Sequence, residues 1–174
     1  MSRAAEGASL TIGKAGANDA EAAWAVRNSS IRYQCAGCYP EEVVDAWTAG
    51  EMPDAFVEDV ERSFVVARRE GRVVGTGALD LKTGKMDAVF VHPGYMRSGI
   101  GRAIVAHLVG LARDAGVMSL TLEATINAAA FYRACGFSGD ETATYRSPRG
   151  LAFDCVPMRL NLGPESAPQG PAPM

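Results

Sequence analysis

The sequence predicts a single domain of mixed α/β class, and three features of the chain support this. Its 174 residues are enough for one domain with a sizeable core. Hydrophobic residues make up 48% and charged residues 21%, the balance of a globular protein. Segments with strand-like and helical periodicity follow one another, in the order strand, two helices, three strands, helix, strand, helix and two strands.

The composition changes near both ends of the chain. Residues 1–8 are small and polar, and residues 161–174 contain four prolines without periodicity. We expect both segments to be disordered, because such compositions bury too little apolar surface to fold. The folded domain is therefore predicted to span residues 9–160.

The first half of this domain has the pattern of a strand, two helices and a hairpin. "SLTIGKA" predicts a strand over 9–15, and "NDAEAAWAVRNSSIRY" predicts an amphipathic helix capped by Asn18 or Asp19. "PEEVVDAWTAG" predicts a shorter helix that begins at Pro40 and ends at Gly50. "SFVVARREGRVVGTGALDL" predicts two strands joined by a tight turn at "REGR".

The second half alternates strands and helices before a final hairpin. "KMDAVFVHP" predicts a strand stopped by Pro93, and a helix is expected over 99–115. Its apolar residues recur at helical spacing and are predicted to face the core: Ile100, Ile104, Leu108 and Leu111. "VMSLTLEA" is typical of a buried parallel strand, and "NAAAFYRAC" predicts a helix closed by Gly136. "ETATYRS" and "LAFDCVPMRL" predict an antiparallel hairpin around "PRG".

Charge and hydropathy exclude several classes of partner. The net charge is −3 and the pI about 5.4, with acidic residues spread along the chain, so nucleic acid is not expected as a partner. No apolar run approaches the ~20 residues of a membrane span. "MSRAAEGAS" lacks the apolar region of a secretory signal, so we expect a cytoplasmic protein that does not bind membranes.

The four cysteines do not form a recognisable metal or redox motif. Cys35 and Cys38 make up the only close pair, "CAGC", and no second CxxC or HxxxH completes a zinc site. A redox pair is expected between a strand and a helix start, whereas this pair lies between a helix end and Pro40. We expect structural or incidental thiols and no bound metal.

The stretch "VHPGYMRSGIGRAIV", residues 91–105, joins a strand to a helix through three glycines and two arginines. A helix entered through glycines presents unpaired N–H groups, to which the helix dipole adds partial positive charge. A Cβ would hold an anion away from those amides, and Arg97 and Arg102 add charge. The turn predicts a phosphate site; a glycine-capped helix start without a ligand is the structural alternative.

Two common phosphate motifs do not fit this turn. Gly94 and Gly99 have the spacing of a P-loop, but Ile100 occupies the position of its lysine. Gly99 and Gly101 begin a dinucleotide fingerprint, but Ile104 stands where its third small residue is required. Neither motif describes the turn, which leaves another kind of phosphate site or a glycine-capped helix start without a ligand.

The turn resembles a motif of the GNAT superfamily of acetyl-CoA-dependent N-acetyltransferases, V-x-P-x-x-[QR]-x-x-G-x-[GA]. Val91, Pro93, Gly99 and Gly101 match this pattern, and "NAAAFYRACGF" resembles the family's Asn…Phe-Tyr-x-x-x-Gly-Phe segment. The position of the family's Gln or Arg is occupied by Met96. In the family this position contributes mainly its backbone N–H, so phosphate binding is expected to persist.

The resemblance implies a mostly antiparallel sheet of six to seven strands flanked by about four helices and splayed between its fourth and fifth strands. The pantetheine arm of acetyl-CoA would lie in the gap like an added strand, contacting the backbone of Phe90 and Val91. The pyrophosphate would contact the turn, at Met96, Arg97, Ser98, Gly99, Ile100, Gly101 and Arg102. Asn127 is expected either to bond the arm or only to cap its helix.

The resemblance also assigns catalytic roles. Tyr132 matches the tyrosine that donates a proton to the leaving thiolate, with a core packing role as the alternative. Asp87 lies where many members carry a carboxylate that deprotonates the amine through water, and Glu123 is the rival base; a solvated strand end is the alternative for Asp87. Strict alternation would place Asp87, Val89 and Val91 on one face, unless a bulge changes the phase.

The acceptor is expected to be the amine of a small molecule or peptide, whose identity the sequence does not specify. Its groove would be built from the first two helices and the last hairpin, with Tyr33, Tyr39, Trp47 and Tyr145 as candidate lining residues. His92 and His107 are expected to be solvated or capping. The resemblance permits a homodimer, and a non-catalytic acyl-CoA-binding module with the same fold is the alternative function.

Overall fold

The computed structural model describes residues 9–147 and 150–163. The predicted disordered segment 1–8 and most of 161–174 lie outside the described residues, as do 148–149 of the "PRG" turn. The predicted domain boundary at residue 160 falls inside the last strand, which ends at Asn161. Among the described residues, no helix combines the length and apolar composition needed to cross a bilayer.

Residues 9–147 and 150–163 form one seven-stranded sheet with five α-helices. The strands are β1 (Leu10–Lys14), β2 (Phe64–Arg69), β3 (Arg72–Asp80), β4 (Lys85–Val91), β5 (Ser119–Thr125), β6 (Ala143–Arg146) and β7 (Ala152–Asn161). The helices are α1 (Ala20–Gln34), α2 (Glu41–Thr48), α3 (Asp54–Ser63), α4 (Ile100–Asp114) and α5 (Ala129–Ala134). The sheet order is β1-β2-β3-β4-β5-β7-β6, antiparallel except for the β4–β5 pair. This confirms the predicted fold class.

Helix α3 was not predicted from the sequence. Pro53 precedes its first turn, and its buried face is formed by Phe56, Val57 and Val60, of which Val60 is fully buried. These three apolar residues are separated by acidic ones and cover less than two turns, so their helical period is weak. The resemblance implied about four helices, and α3 brings the number in the described chain to five. This helix covers the sheet beside α1.

The main core lies between α4 and the centre of the sheet. Ile100, Ile104 and Leu108 are fully buried, as their spacing predicts. The prediction for Leu111 is wrong: it is 39% exposed, and Ala112, four residues after Leu108, occupies the core position instead. Helix α4 approaches the sheet this closely because β3 carries glycines there; a Cβ at Gly77 would lie 2.6 Å from Ile104 Cγ2.

The start of α1 is held differently from the prediction. Asp19 precedes the helix, but its carboxylate does not cap an α1 amide. It accepts a hydrogen bond from the amide of Gly16 at 2.9 Å and lies 2.6 Å from Arg68 Nη2 on β2. Asp19 thus ties the start of α1 to the sheet.

Candidate active site

Strands β4 and β5 meet at one end only. Their register contains the single pair Lys85 and Thr121, next to which the amide of Thr121 donates to the carbonyl of Gly84 at 3.0 Å. From there β4 follows β3 and β5 follows β7. The facing edges of β4 and β5 therefore diverge into a gap bordered by backbone groups that lack a neighbouring strand.

A bulge in β4 changes which of its side chains face the gap. Ala88 has φ 51°, and β4 has one more residue than β3 between the pairs Ala78–Asp87 and Thr76–Phe90. The buried hydroxyl of Thr76 donates to the carbonyl of Ala88 at 2.8 Å and holds the bulge. The strict alternation of Asp87 with Val89 and Val91 is therefore wrong, and the bulge considered in the sequence analysis is present.

One cavity of about 940 Å³ lies on the side of the sheet covered by α1, α2 and α3, along β4 and β5. It is large enough for a small-molecule site. The predicted catalytic residues Asp87, Glu123 and Tyr132 line it, and so do Phe90, Trp47 and Tyr145. Trp47 and Tyr145, which lie 98 positions apart in the chain, thus line one cavity.

Tyr132, on α5, lies at the inner wall of this cavity and is only 9% exposed. Its ring makes edge contacts with Phe131 and Phe137, with centroids 5.0 and 5.9 Å away. Burial raises the pKa of its phenol far above the ordinary value, and the negative charge of Asp87 raises this pKa further. The hydroxyl therefore keeps its proton throughout the neutral range.

The two candidate bases differ in their partners. Glu123 Oε2 lies 3.7 Å from the ammonium of Lys85. Asp87 forms no ion pair within 9–147 and 150–163, and its Oδ1 accepts from the amide of Ala88 at 2.9 Å. The charge of Asp87 also raises the pKa of the Tyr145 phenol, second to burial. Asp87 is thus the uncompensated carboxylate close to both Tyr132 and Tyr145.

The glycine-arginine turn has the backbone of an anion site. Arg97 and Gly99 have φ of 60° and 83°, and a Cβ at Gly99 would meet no atom within 4 Å, which leaves the space in front of the helix open. Within the described chain, the amides of residues 97–102 have no hydrogen-bond acceptor. These amides include those of Ser98, Ile100 and Arg102 at the start of the 15-residue helix α4.

Gly101 has a second role that the sequence did not reveal. A Cβ at this position would lie 3.2 Å from Phe131 Cζ and 3.6 Å from Val91 Cγ2. The first turn of α4 therefore packs against the ring next to Tyr132. The pattern of glycines predicted that an anion comes close to the backbone here. It did not predict that a side chain of α5 also packs against this backbone.

Other candidate cofactor contacts have partners inside the protein. Met96 packs against the main core, and its sulfur receives a hydrogen bond from Gln34 Nε2 at 3.4 Å. Asn127 lies inside the 3₁₀ turn Ile126–Ala128 and does not occupy a helix N-cap. Its Oδ1 accepts from the thiol of Cys35 at 3.8 Å. The Nδ1 atom of His92 accepts a hydrogen bond from the amide of Gly94, so His92 caps a turn. Capping was one of the two roles predicted for it.

The four candidate acceptor residues separate into two groups. Trp47 and Tyr145 line the cavity, whereas Tyr33 is 66% exposed and lies outside its lining. Tyr39 also lies outside the lining: its hydroxyl accepts from the amide of Ile126 at 2.9 Å and donates to the carbonyl of Asp154. Tyr39 therefore connects the α1–α2 segment to the ends of β5 and β7.

Sequence reasoning missed Phe153, which lines the cavity and contacts the rings of both Trp47 and Tyr145. Its ring centroid is 4.4 Å from that of Trp47 and 5.0 Å from that of Tyr145. Its place on β7 opposite Tyr145 follows from the register of the last hairpin. The predicted strand "LAFDCVPMRL" contained this residue, but only the pairing identifies the cavity as its neighbour.

The two cysteines of the "CAGC" pair differ in burial. Cys35 is buried, which raises its pKa to about 11, while Cys38 is exposed. A raised pKa lowers the thiolate fraction at neutral pH and makes the thiol unreactive. In the described parts of the chain, no cluster of three or more His, Cys, Asp or Glu residues is arranged to bind a metal.

Known proteins resemble this chain in sequence. The model of the acetyltransferase (GNAT) family matches residues 27–137. The IAA acetyltransferase of Azospirillum brasilense is 39% identical over 82 residues, which are 43% of this chain and 54% of that protein. The chain thus spans about half the length of this relative.

Solved structures share the fold. A GCN5-related N-acetyltransferase from Rhodopseudomonas palustris has a TM-score of 0.79 at 25% identity, covering 93% of this chain and all of that one. The PaiA N-acetyltransferase of Thermoplasma acidophilum, solved in complex with coenzyme A, has a TM-score of 0.65 at 17% identity, covering 88% and 99%. At 17% identity, this second likeness shows the fold alone.

Proposed function

Since this chain belongs to the acetyltransferase (GNAT) family, we propose that it moves an acetyl group from acetyl-CoA to a primary amine of a small molecule or peptide, by direct attack in a ternary complex. The observation that supports this most is the cavity beside the β4–β5 gap. There the uncompensated carboxylate of Asp87 lies close to the buried, protonated phenol of Tyr132. Acyl transfer to an amine requires one group that can accept a proton and another that can donate one; an ionised carboxylate and a protonated phenol meet these two requirements.

The residues present fit acetyl-CoA. The edge of β4 that diverges from β5, at Phe90 and Val91, offers backbone groups to the amide-bearing arm. The acceptor-free amides of residues 97–102 and the open space at Gly99 suit the pyrophosphate. Acetyl-CoA supplies the acetyl group as a thioester, and the CoA-bound state of the PaiA relative supports this choice.

The chain's own groups handle the protons. The amine attacks only when neutral, so Asp87 takes its proton, directly or through a water. As the new carbon–nitrogen bond forms and the carbon–sulfur bond breaks, Tyr132 gives its proton to the departing sulfur. The nitrogen, which carries one proton too many after the carbon–sulfur bond breaks, gives it to the phenolate of Tyr132, and Asp87 releases its proton to solvent. One turnover thus converts an ammonium and a thioester into an amide, a thiol and one released proton.

Two measurements test the proposal. Calorimetric titration with CoA is expected to show binding, and incubation of acetyl-CoA with a panel of primary amines is expected to release thiol in proportion to acetylated amine. Binding without amine-dependent thiol release would instead indicate the acyl-CoA-binding module. Absence of both would contradict the assignment of the turn.

Replacing Gly101 by alanine is expected to weaken CoA binding about tenfold, since the added methyl group crowds Phe131 and displaces the first amides of α4. Gly110→Ala is the matched control on the same helix, because its Cβ would meet nothing within 4 Å. That control is expected to keep the affinity of the wild type and to gain up to about 1 kcal/mol in stability. Equal affinities of the two variants in calorimetric titration would exclude a role for the first turn of α4.

Asp87→Asn is expected to lower kcat/KM most at neutral pH, by about 100-fold, and to approach the wild type at alkaline pH, where the free amine no longer needs a base. Glu123→Gln is the matched control, because Glu123 is already paired with Lys85. Its pH–rate profile is expected to keep the shape of the wild type. Reversed results for the two variants would transfer the role of base to Glu123.

A further inference from the structure

We infer that the acceptor is a monoamine carried on an aromatic ring system and is not a polycation, an inference that rests on the proposed function and specifies its substrate class. The cavity has an aromatic wall, which we define as Trp47, Tyr145 and Phe153. These residues come from α2, β6 and β7, so that three separate elements contribute one ring each. The wall and the catalytic candidates Asp87 and Tyr132 line the same cavity.

The rings of this aromatic wall support one another. Phe153 is 9% exposed and contacts the other two rings, at centroid distances of 4.4 Å from Trp47 and 5.0 Å from Tyr145. Trp47 and Tyr145 are only partly buried, so each keeps ring surface toward the cavity. Packed aromatic rings with an open face favour stacking or edge contacts with another ring.

The position of Asp87 fixes where the amine would lie relative to the wall. Asp87 lines the same cavity as Tyr132 and Tyr145, and the charge of its carboxylate raises the pKa of both phenols, second to burial. An amine bound at Asp87 therefore shares the cavity with both Tyr132 and the aromatic wall. The group attached to the nitrogen extends onto the wall.

The charges of the cavity oppose a polycation. Its lining contains four acidic residues (Asp59, Asp80, Asp87 and Glu123) and four basic ones (Arg27, Arg62, Lys82 and Lys85), so their formal charges sum to zero. Glu123 is paired with Lys85, and Asp59 with Arg62. A polyamine or aminoglycoside would bring several positive charges to a cavity without an acidic excess.

The test compares kcat/KM for three amines at saturating acetyl-CoA. They are 2-phenylethylamine, 2-cyclohexylethylamine with the same chain and a non-aromatic ring, and spermidine. We expect 2-phenylethylamine to exceed 2-cyclohexylethylamine about threefold to tenfold and spermidine by more than tenfold. Trp47→Leu is expected to erase the preference for the aromatic ring, whereas Tyr145→Phe, which keeps the ring, preserves it. Equal rates for the two ring amines, or a preference for spermidine, would overturn the inference and leave the proposed function standing.

A binding measurement separates this inference from the proposed function. The chain has two tryptophans, of which Trp47 lines the cavity and Trp24 does not; the Trp24 ring packs behind Phe56, which is a lining residue. With CoA present, 2-phenylethylamine is expected to change the fluorescence of the Trp24→Phe variant, whose only indole is Trp47, and not that of Trp47→Phe. This change without thiol release from any amine would refute the proposed function and retain the aromatic site. No fluorescence change in Trp24→Phe would refute the site.

Discussion

Replacement of Tyr132 by phenylalanine is expected to lower kcat by about 100-fold or more and to leave CoA affinity nearly unchanged. The ring is buried against Phe131 and Phe137, and phenylalanine keeps both contacts. What is lost is the hydroxyl, the group that would protonate the departing sulfur. The amides proposed to hold the pyrophosphate lie in residues 97–102, on another element, so the change does not reach them.

Tyr39→Phe is the contrasting variant. Its hydroxyl bonds the amide of Ile126 and the carbonyl of Asp154, so its loss is expected to lower the free energy of unfolding by about 1–3 kcal/mol. Turnover of the folded variant is expected to fall far less than in Tyr132→Phe. Equal loss of affinity and turnover in Tyr132→Phe would indicate a packing role, and full activity would show that the sulfur leaves unaided.

The buried phenol also makes a pH prediction for stability. The pKa of Tyr132 is raised in the folded protein above the ~10 of an unfolded tyrosine. The folded state is therefore favoured by the protonated phenol below pH ~10, and this contribution is lost as the pH rises further toward the folded pKa. Denaturant titrations at alkaline pH are expected to show a smaller loss of stability in Tyr132→Phe than in the wild type.

The parts of the site that the sequence predicted are those encoded by local pattern. Gly99 and Gly101 are recognisable in the sequence because a helix start that accepts an anion needs little side chain, and two glycines two residues apart at a strand–helix junction meet that need. Tyr132 was found through its neighbours in "FYRACGF". The positions of the strands and of four helices followed in the same way from short-range periodicity.

The parts that it did not predict depend on contacts between distant segments. The bulge in β4 is left open by the sequence, and the hydroxyl of Thr76 on the neighbouring strand holds it at Ala88. Tyr39 was expected in the acceptor groove because it is aromatic and lies after α1, but its hydroxyl instead bonds residues about 90 and 115 positions away. Phe153 reaches the cavity only through the pairing of β6 with β7. None of these contacts can be recognised from the hydrophobic periodicity of the surrounding sequence.

Replacement of Gly84 by alanine is expected to cost more stability than any other single methyl group added near the site, about 3 kcal/mol or more. Gly84 has φ 74°, and a Cβ there would lie 2.4 Å from the carbonyl oxygen of Ser119, a backbone atom that cannot rotate away. Its own carbonyl accepts from Thr121 beside the single paired position of β4 and β5. The methyl group therefore separates the strands where the gap begins.

Gly71→Ala isolates the backbone part of this cost. Gly71 has φ 76°, almost the same as Gly84, but its Cβ would meet nothing within 4 Å. Urea unfolding is expected to show a loss of about 1–2 kcal/mol for Gly71→Ala, from the left-handed backbone alone, and at least twice that for Gly84→Ala. CoA affinity is expected to fall in Gly84→Ala only, because only there does the start of β5 move relative to β4. Equal losses in the two variants would show that Ser119 yields without cost, and that the closed end of the gap does not set its width.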